Sequence, residues 1–138
     1  MNLLEVMNRL AHETDKSTVL RMIQTHGPRC DCILKYAPLF ANDRDIVQAS
    51  IEIDPRSIYH ASSELKKDVD LALYVVGKNG LYLSYVDISL LQNREVVIKA
   101  IRQNWKALYY LHHSMLDDPE IMSIATEHGV TKNEMYFA

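Results

Sequence analysis

Four polar residues spaced 25 apart, Asp43, Asp68, Asn93 and Asp118, each open a segment built to one plan, and this period constrains the fold more than any other feature of the chain. A repeat of that length is a single supersecondary unit that cannot bury its apolar side alone, so copies must stack and share a core. At each anchor an Asp or Asn can cap the free amides of a first helical turn. The acid two residues on (Asp45, Asp70, Glu95, Glu120) suits the positive end of a helix dipole. Pro119 fits the first helical position, where it sacrifices no hydrogen bond.

Behind each cap the apolar and small residues recur at fixed offsets: Ile46, Val47, Ser50, Ile51; Leu71, Ala72, Val75, Val76; Val96, Val97, Ala100, Ile101; Ile121, Met122, Ala125, Thr126. That is one helical stripe rather than strand alternation. The stretches break at Asp54-Pro55, Asn79-Gly80, Asn104-Trp105 and His128-Gly129, turn-prone pairs in three of the four cases, with Asn104 itself able to take a left-handed cap. A second helix is expected after each break. Ile58, Ala61, Leu65 match Leu83, Val86, Leu90 and then Leu108, Leu111, Met115, so each unit reads as a short αα-hairpin.

A more divergent, longer unit runs from Ser17 through Val19, Leu20 and Ile23 to His26-Gly27-Pro28, then Ile33, Tyr36 and Phe40. Leu3, Leu4, Val6, Met7 and Leu10 predict an amphipathic helix that caps the first hairpin. The expectation is an all-α fold, an α-solenoid of four to five short helical hairpins in one domain. Its parts are a cap over 1–14, a divergent repeat over 15–42, regular repeats over 43–67, 68–92 and 93–117, and a truncated repeat over 118–138 that ends short at Phe137-Ala138.

The run from Asn93 through Arg94, Glu95, Val96 and Val97 to Asn104, followed by Ala107-Leu108-Tyr109-Tyr110, resembles the domain-of-unknown-function family numbered 4116, with its D-[KR]-E-V-V-L-x-A-V-x-x-N-G-x-x-L-x-Y-A-S pattern. Ile58 to Leu65 resembles the second half of the same unit. The likeness covers roughly residues 43 to 129 and is strongest from 68 to 118, with Trp105 in place of the usual glycine. The resemblance implies the repeat fold and supplies no activity or catalytic residues.

Composition narrows the function classes. Charged residues make up 24% of the chain and apolar residues 48%, which suits a folded domain with a core of its own. The net charge is −3, and residues 1–69 hold nine Lys/Arg against ten Asp/Glu. Nucleic-acid binding draws heavily on phosphate neutralisation, so this balance disfavours it. A weak single-stranded nucleic-acid binder, by analogy with helical repeats that stack one base per unit, stands third among the readings. No apolar run approaches bilayer length and no signal peptide is recognisable. Together with only Cys30 and Cys32, this points to the cytoplasm of the producing cell, or of a host cell reached by an unrecognised route.

The residues singled out for function are aromatic. His60, Tyr85 and Tyr110 share one repeat offset, and Tyr59, Ser84 and Tyr109 share the one before it. With Tyr82 and Trp105 these give the candidate protein-binding set: Tyr59, His60, Tyr82, Tyr85, Trp105, Tyr109 and Tyr110. Tyrosine and tryptophan bring large area with few rotatable bonds. The bland alternative packs the rings between hairpins. Trp105 is either a protruding anchor or a side chain folded back over a neighbouring turn.

His112 and His113, with Asp87 at the offset of His112, lack the third ligand that a zinc site requires. His26 with Cys30 and Cys32 has the wrong cysteine spacing. No base or oxyanion site accompanies either thiol, and no phosphate loop or nucleophile elbow occurs. The expectation is therefore a non-catalytic module without cofactor or metal, a small adaptor or inhibitor with a protein partner. Its alternative is a self-associating structural protein, a homodimer through the aromatic face or the C-terminal repeat.

Overall fold

A computed structural model describes residues 1–135. The end of the last repeat, Phe137-Ala138, lies outside the described residues. The described chain is all-α and divides into two compact units, Met1–Lys66 and a second from Lys67 onward.

In the first unit α1 (Leu3–His12) is closed by a capping box between Asn2 and Glu5. Its buried face is Val6 and Leu10, while Leu3 and Leu4 are exposed. It packs on α2 (Lys16–His26) and on the 3₁₀ segment Ile33–Tyr36. The next repeat supplies α3 (Arg44–Ile53), which packs on α2, and ends with the 3₁₀ run Pro55–His60 and the single-turn α4 (Ser63–Lys66). In the second unit α5 (Val69–Lys78) packs on α6 (Arg94–Gln103), and α6 on α7 (Pro119–Glu127).

The caps lie where the period places them. Asp43 accepts the amides of Asp45 and Ile46, Asp68 that of Leu71, Asn93 that of Val96, and Asp118 those of Glu120 and Ile121. The stripe behind them is buried in α3, α5 and α6. Ser50 remains inside that stripe because its hydroxyl donates to the Ile46 carbonyl at 2.8 Å. In α7 only half of the stripe holds, since Ile121 and Ala125 are buried but Met122 and Thr126 face solvent.

The expected second α-helix of each hairpin is instead two short pieces, mostly 3₁₀: Pro55–His60 then α4, Gly80–Tyr85 then Ile88–Gln92, and Trp105–Tyr110 then His113–Asp117. A second capping residue cuts each segment midway. Ser62 accepts from the Leu65 amide, Asp87 from Ser89 and His112 from Ser114. The extended backbone at Asp87 and His112 cannot continue a helix. Pieces of five or six residues are too short to nucleate an α-helix comfortably, and a 3₁₀ turn closes with one residue fewer.

Asn104 does not use the left-handed cap open to it: its backbone is extended (φ −150°, ψ 107°). Its side chain opens the following 3₁₀ run by accepting from Lys106, as Asp54 and Asn79 do in their repeats. Among the described residues, only α7 ends on a left-handed residue, Gly129 (φ 71°). There the Val130 amide returns to the Ala125 carbonyl at 2.9 Å and that of Gly129 to Thr126, a Schellman closure.

Candidate functional site

The candidate aromatic residues all lie on the 3₁₀ runs. In such a run residues i and i+3 eclipse, which brings together side chains that an α-helix would fan apart. Tyr82 and Tyr85 accordingly meet with ring centres 5.4 Å apart, and Tyr59 meets His60 edge-on at 5.2 Å. The most exposed of the set are Tyr59 (56%) and Tyr109 (39%), which share a repeat offset; His60, Tyr82, Tyr85, Trp105 and Tyr110 are half-buried. His60 belongs to the first unit, Tyr85 and Tyr110 to the second.

Trp105 is folded back. Its indole stacks on His128 at the end of α7, 4.8 Å between centres and 7° from parallel, and meets Tyr109 at 6.0 Å. The glycine normal at this offset is explained by Gly80. A Cβ there would overlap the Ala100 carbonyl oxygen of α6, and the Gly80 amide donates to Gln103 Oε1 at 2.5 Å. In the next repeat the same two offsets carry Trp105 and His128, so a stacked pair replaces a close backbone approach.

Around the first unit's cysteines the sequence sets His26, Cys30 and Cys32 close together in the chain, with a spacing that does not suit zinc. The ligating atoms that actually converge, within 4.8 Å of one another, belong to Asp31, Cys32 and Asp54, the one such group among the described residues. Arg56 occupies both carboxylates, at 2.5 Å to Asp31 and 2.7 Å to Asp54. This guanidinium holds the Asp54 carboxyl below its usual range. Burial, then the negative charges of Asp54 and Asp31, push the Cys32 thiol up to about 11, and burial also raises Cys30. Neither thiol is a ready nucleophile at neutral pH. An open cavity of about 330 Å³ lies beside them, lined by Arg29, Cys30, Asp31, Asp54 and Arg56 among others.

His112 and His113 stack at 4.3 Å, but His112 Nδ1 accepts the Ser114 amide at 3.1 Å and so serves as a cap, the role Asp87 has one repeat earlier. A further hollow of about 180 Å³, mostly apolar, is lined by Ile88, Leu91, Gln92 and His112.

Ion pairs join successive helices within each unit. Lys16, at the first position of α2, reaches Asp43 and Asp45 of α3 at 3.1 and 2.8 Å. Arg94, at the first position of α6, pairs with Asp118 and Glu120 of α7, and Arg102 pairs with Glu120. The second acid of each repeat was legible only as a dipole partner; Asp45 and Glu120 are also helix-to-helix bridges. The available signal is the base directly after a cap followed by an Asp cap in the next repeat.

Residues 15–66 and 68–116 each match a domain of unknown function, DUF4116. The chain belongs to the DUF4116 family. Each family match spans two repeats, and the first takes in the divergent one, so the likeness begins earlier than residue 43. Comparison with curated proteins and with solved structures returned no match. Among the described residues of this DUF4116 chain, no helix is long and apolar enough to cross a membrane.

Proposed function

We propose that the chain is a non-catalytic protein-binding module, a small adaptor or inhibitor, that engages a partner through the 3₁₀ halves of its repeats. The observation that carries this reading is the exposure of Tyr59 and Tyr109 at one repeat offset while Ile58 and Leu108 beside them are fully buried. An aromatic ring held by a rigid buried neighbour loses little freedom on binding and contributes large contact area. His60 in the first unit, and Tyr82, Tyr85, Trp105 and Tyr110 in the second, complete the candidate contact set. The unpaired thiols of Cys30 and Cys32 support a reducing compartment, the cytoplasm of the producing cell or of a host.

The test is capture from lysate of the source organism with the wild-type chain and with a Tyr59→Ala, Tyr109→Ala variant of unchanged circular dichroism and melting. A stoichiometric partner lost in the variant supports the reading. A partner that binds both forms equally moves the contact away from these faces.

A second reading, self-association, is favoured by Met122. The equivalent residues Val47, Ala72 and Val97 are buried, whereas Met122 is 55% exposed, so α7 presents a face that the earlier helices cover. Sedimentation at two concentrations with Met122→Lys tests it. A dimer that persists in the variant refutes this interface.

A further inference from the structure

Three cations of the first unit are neutralised by ion pairs within it. Arg9 pairs with Glu13, Lys16 with Asp43 and Asp45, and Arg56 with Asp31 and Asp54. Lys35 and Lys66 differ. Neither takes part in an ion pair among the described residues; their ammonium groups lie over aromatic rings, Lys35 5.3 Å from the centre of Tyr36 and Lys66 4.8 Å from that of Tyr59. His60, edge-on to Tyr59, lies within the field of both, for after burial it is Lys35 and then Lys66 that push its pKa down, against a smaller pull from Asp31. Three short elements, Ile33–Tyr36, Pro55–His60 and α4, therefore bring two ammonium groups that take part in no ion pair to act on the His60 imidazole, beside the exposed Tyr59 ring.

We propose that this face docks an acidic segment of a partner protein, with an apolar side chain over the Tyr59 ring and flanking carboxylates on Lys35 and Lys66. The inference rests on the protein-binding reading above and names the chemistry of the partner. Charge complementarity sets the sign of the segment, because these two positive charges take part in no ion pair among the described residues although the chain's net charge is −3. The Lys66 ammonium is already held over the ring, so less side-chain freedom is lost on docking. Two ammonium groups and a largely neutral imidazole match a few carboxylates better than the several successive phosphates that anchor a nucleic acid. A carboxylate set beside His60 also favours its protonated form, so docking and proton uptake are coupled there, with Lys35, Lys66 and Asp31 as the other charges that face the ring.

The experiment is a nuclear magnetic resonance titration of the full chain with a short synthetic peptide of alternating Glu and Leu, and with its Gln-Leu counterpart. The expected result has three parts: shifts confined to residues 33–36 and 55–66, a higher titration midpoint for the His60 ring protons, and affinity that falls as salt rises. Lys35→Gln with Lys66→Gln should weaken the Glu peptide several-fold, up to about tenfold, as two surface pairs allow.

No binding at millimolar peptide, equal affinity for the two peptides, or insensitivity to the lysine changes overturns the proposal. Tighter, lysine-dependent binding of single-stranded polyuridine assigns the face to the wrong class of partner and overturns it too. A lysate partner lost in the Tyr59→Ala, Tyr109→Ala variant but retained by the lysine variant sinks the acidic segment while leaving the binding module intact.

Discussion

The three glycines of the second unit should respond to alanine in three different ways. Gly80 has no left-handed backbone to protect, so Gly80→Ala would gain about 0.4–1 kcal/mol from a less free unfolded chain. Against that, the new Cβ overlaps the Ala100 carbonyl oxygen and lies 3.1 Å from the Asn104 amide nitrogen. Both are backbone atoms, so relief requires α6 itself to move. Overpacking of this kind costs about 1–3 kcal/mol, and loosening the Gly80 amide bond to Gln103 costs about 1 kcal/mol more. The net expectation for Gly80→Ala is a loss of about 2 kcal/mol.

Gly77 sits inside α5, where alanine gains about 0.8–1 kcal/mol of helix propensity, and its Cβ meets only the flexible end of Lys99. Gly77→Ala should therefore stabilise. Gly129 is left-handed with nothing within 4 Å, so Gly129→Ala loses about 1 kcal/mol through conformation alone. Urea unfolding followed by the fluorescence of the single tryptophan, which lies in this unit, measures all three. A Gly80→Ala protein as stable as wild type, or a Gly77→Ala protein less stable than Gly80→Ala, would refute the close α5–α6 approach.

The hydroxyl of Ser57 is fully buried without a partner, and Ala107 holds the equivalent offset, so Ser57→Ala should raise stability by about 1 kcal/mol in a thermal melt; a loss would show that the hydroxyl is satisfied after all. Asp118 and Glu120 are held below the usual carboxylate range by Arg94 and Arg102. Their contribution is therefore complete above the unfolded value near pH 4 and fades as pH falls through the lower folded values. Urea titrations at neutral and acid pH should show this dependence flattened by Arg94→Gln with Arg102→Gln and by high salt; an unchanged slope counts against the bridge. Cys32 should react slowly with iodoacetamide at neutral pH and faster in Asp54→Asn, which removes a negative charge beside the thiol; a fast wild-type reaction contradicts the raised thiol pKa.

The helix starts and their buried stripe were legible because both signals are local: a capping side chain and apolar spacing within ten residues. The 3₁₀ halves were not. Ile58, Ala61 and Leu65, or Leu83, Val86 and Leu90, are spaced three and then four apart, which suits an α-helix and a broken 3₁₀ run equally. The distinguishing mark was present in Ser62, Asp87 and His112, one offset in three repeats, where each side chain takes an amide two or three residues on. Read singly, the shared offset of Asp87 and His112 suggests a metal pair; read with Ser62, it marks a cap. Lys35 and Lys66 escaped notice for a different reason. Their significance lies in contacts made in the folded unit, where each ammonium lies over an aromatic ring and takes part in no ion pair among the described residues.

The helix seams show how a repeat array departs from its own consensus. Between α5 and α6 the turn carries Gly80 and the facing helix end carries Gln103, whose side-chain oxygen accepts the Gly80 amide. Between α6 and α7 the same offsets hold Trp105 and His128, joined by ring stacking. The positions after the caps change in step. Arg94 faces acidic Asp118, whereas Val69 precedes the neutral cap Asn93. A tryptophan at 105 with an α6-like neighbour would overlap backbone, and an arginine at 94 opposite a neutral cap would lose its partner. The residues that look like departures from the repeat are thus two halves of one contact, written 23 or 24 residues apart, as the pairs 105–128 and 94–118 show. Trp105 belongs to that internal contact, which leaves Tyr59 and Tyr109 as the aromatic residues whose exposure packing does not explain.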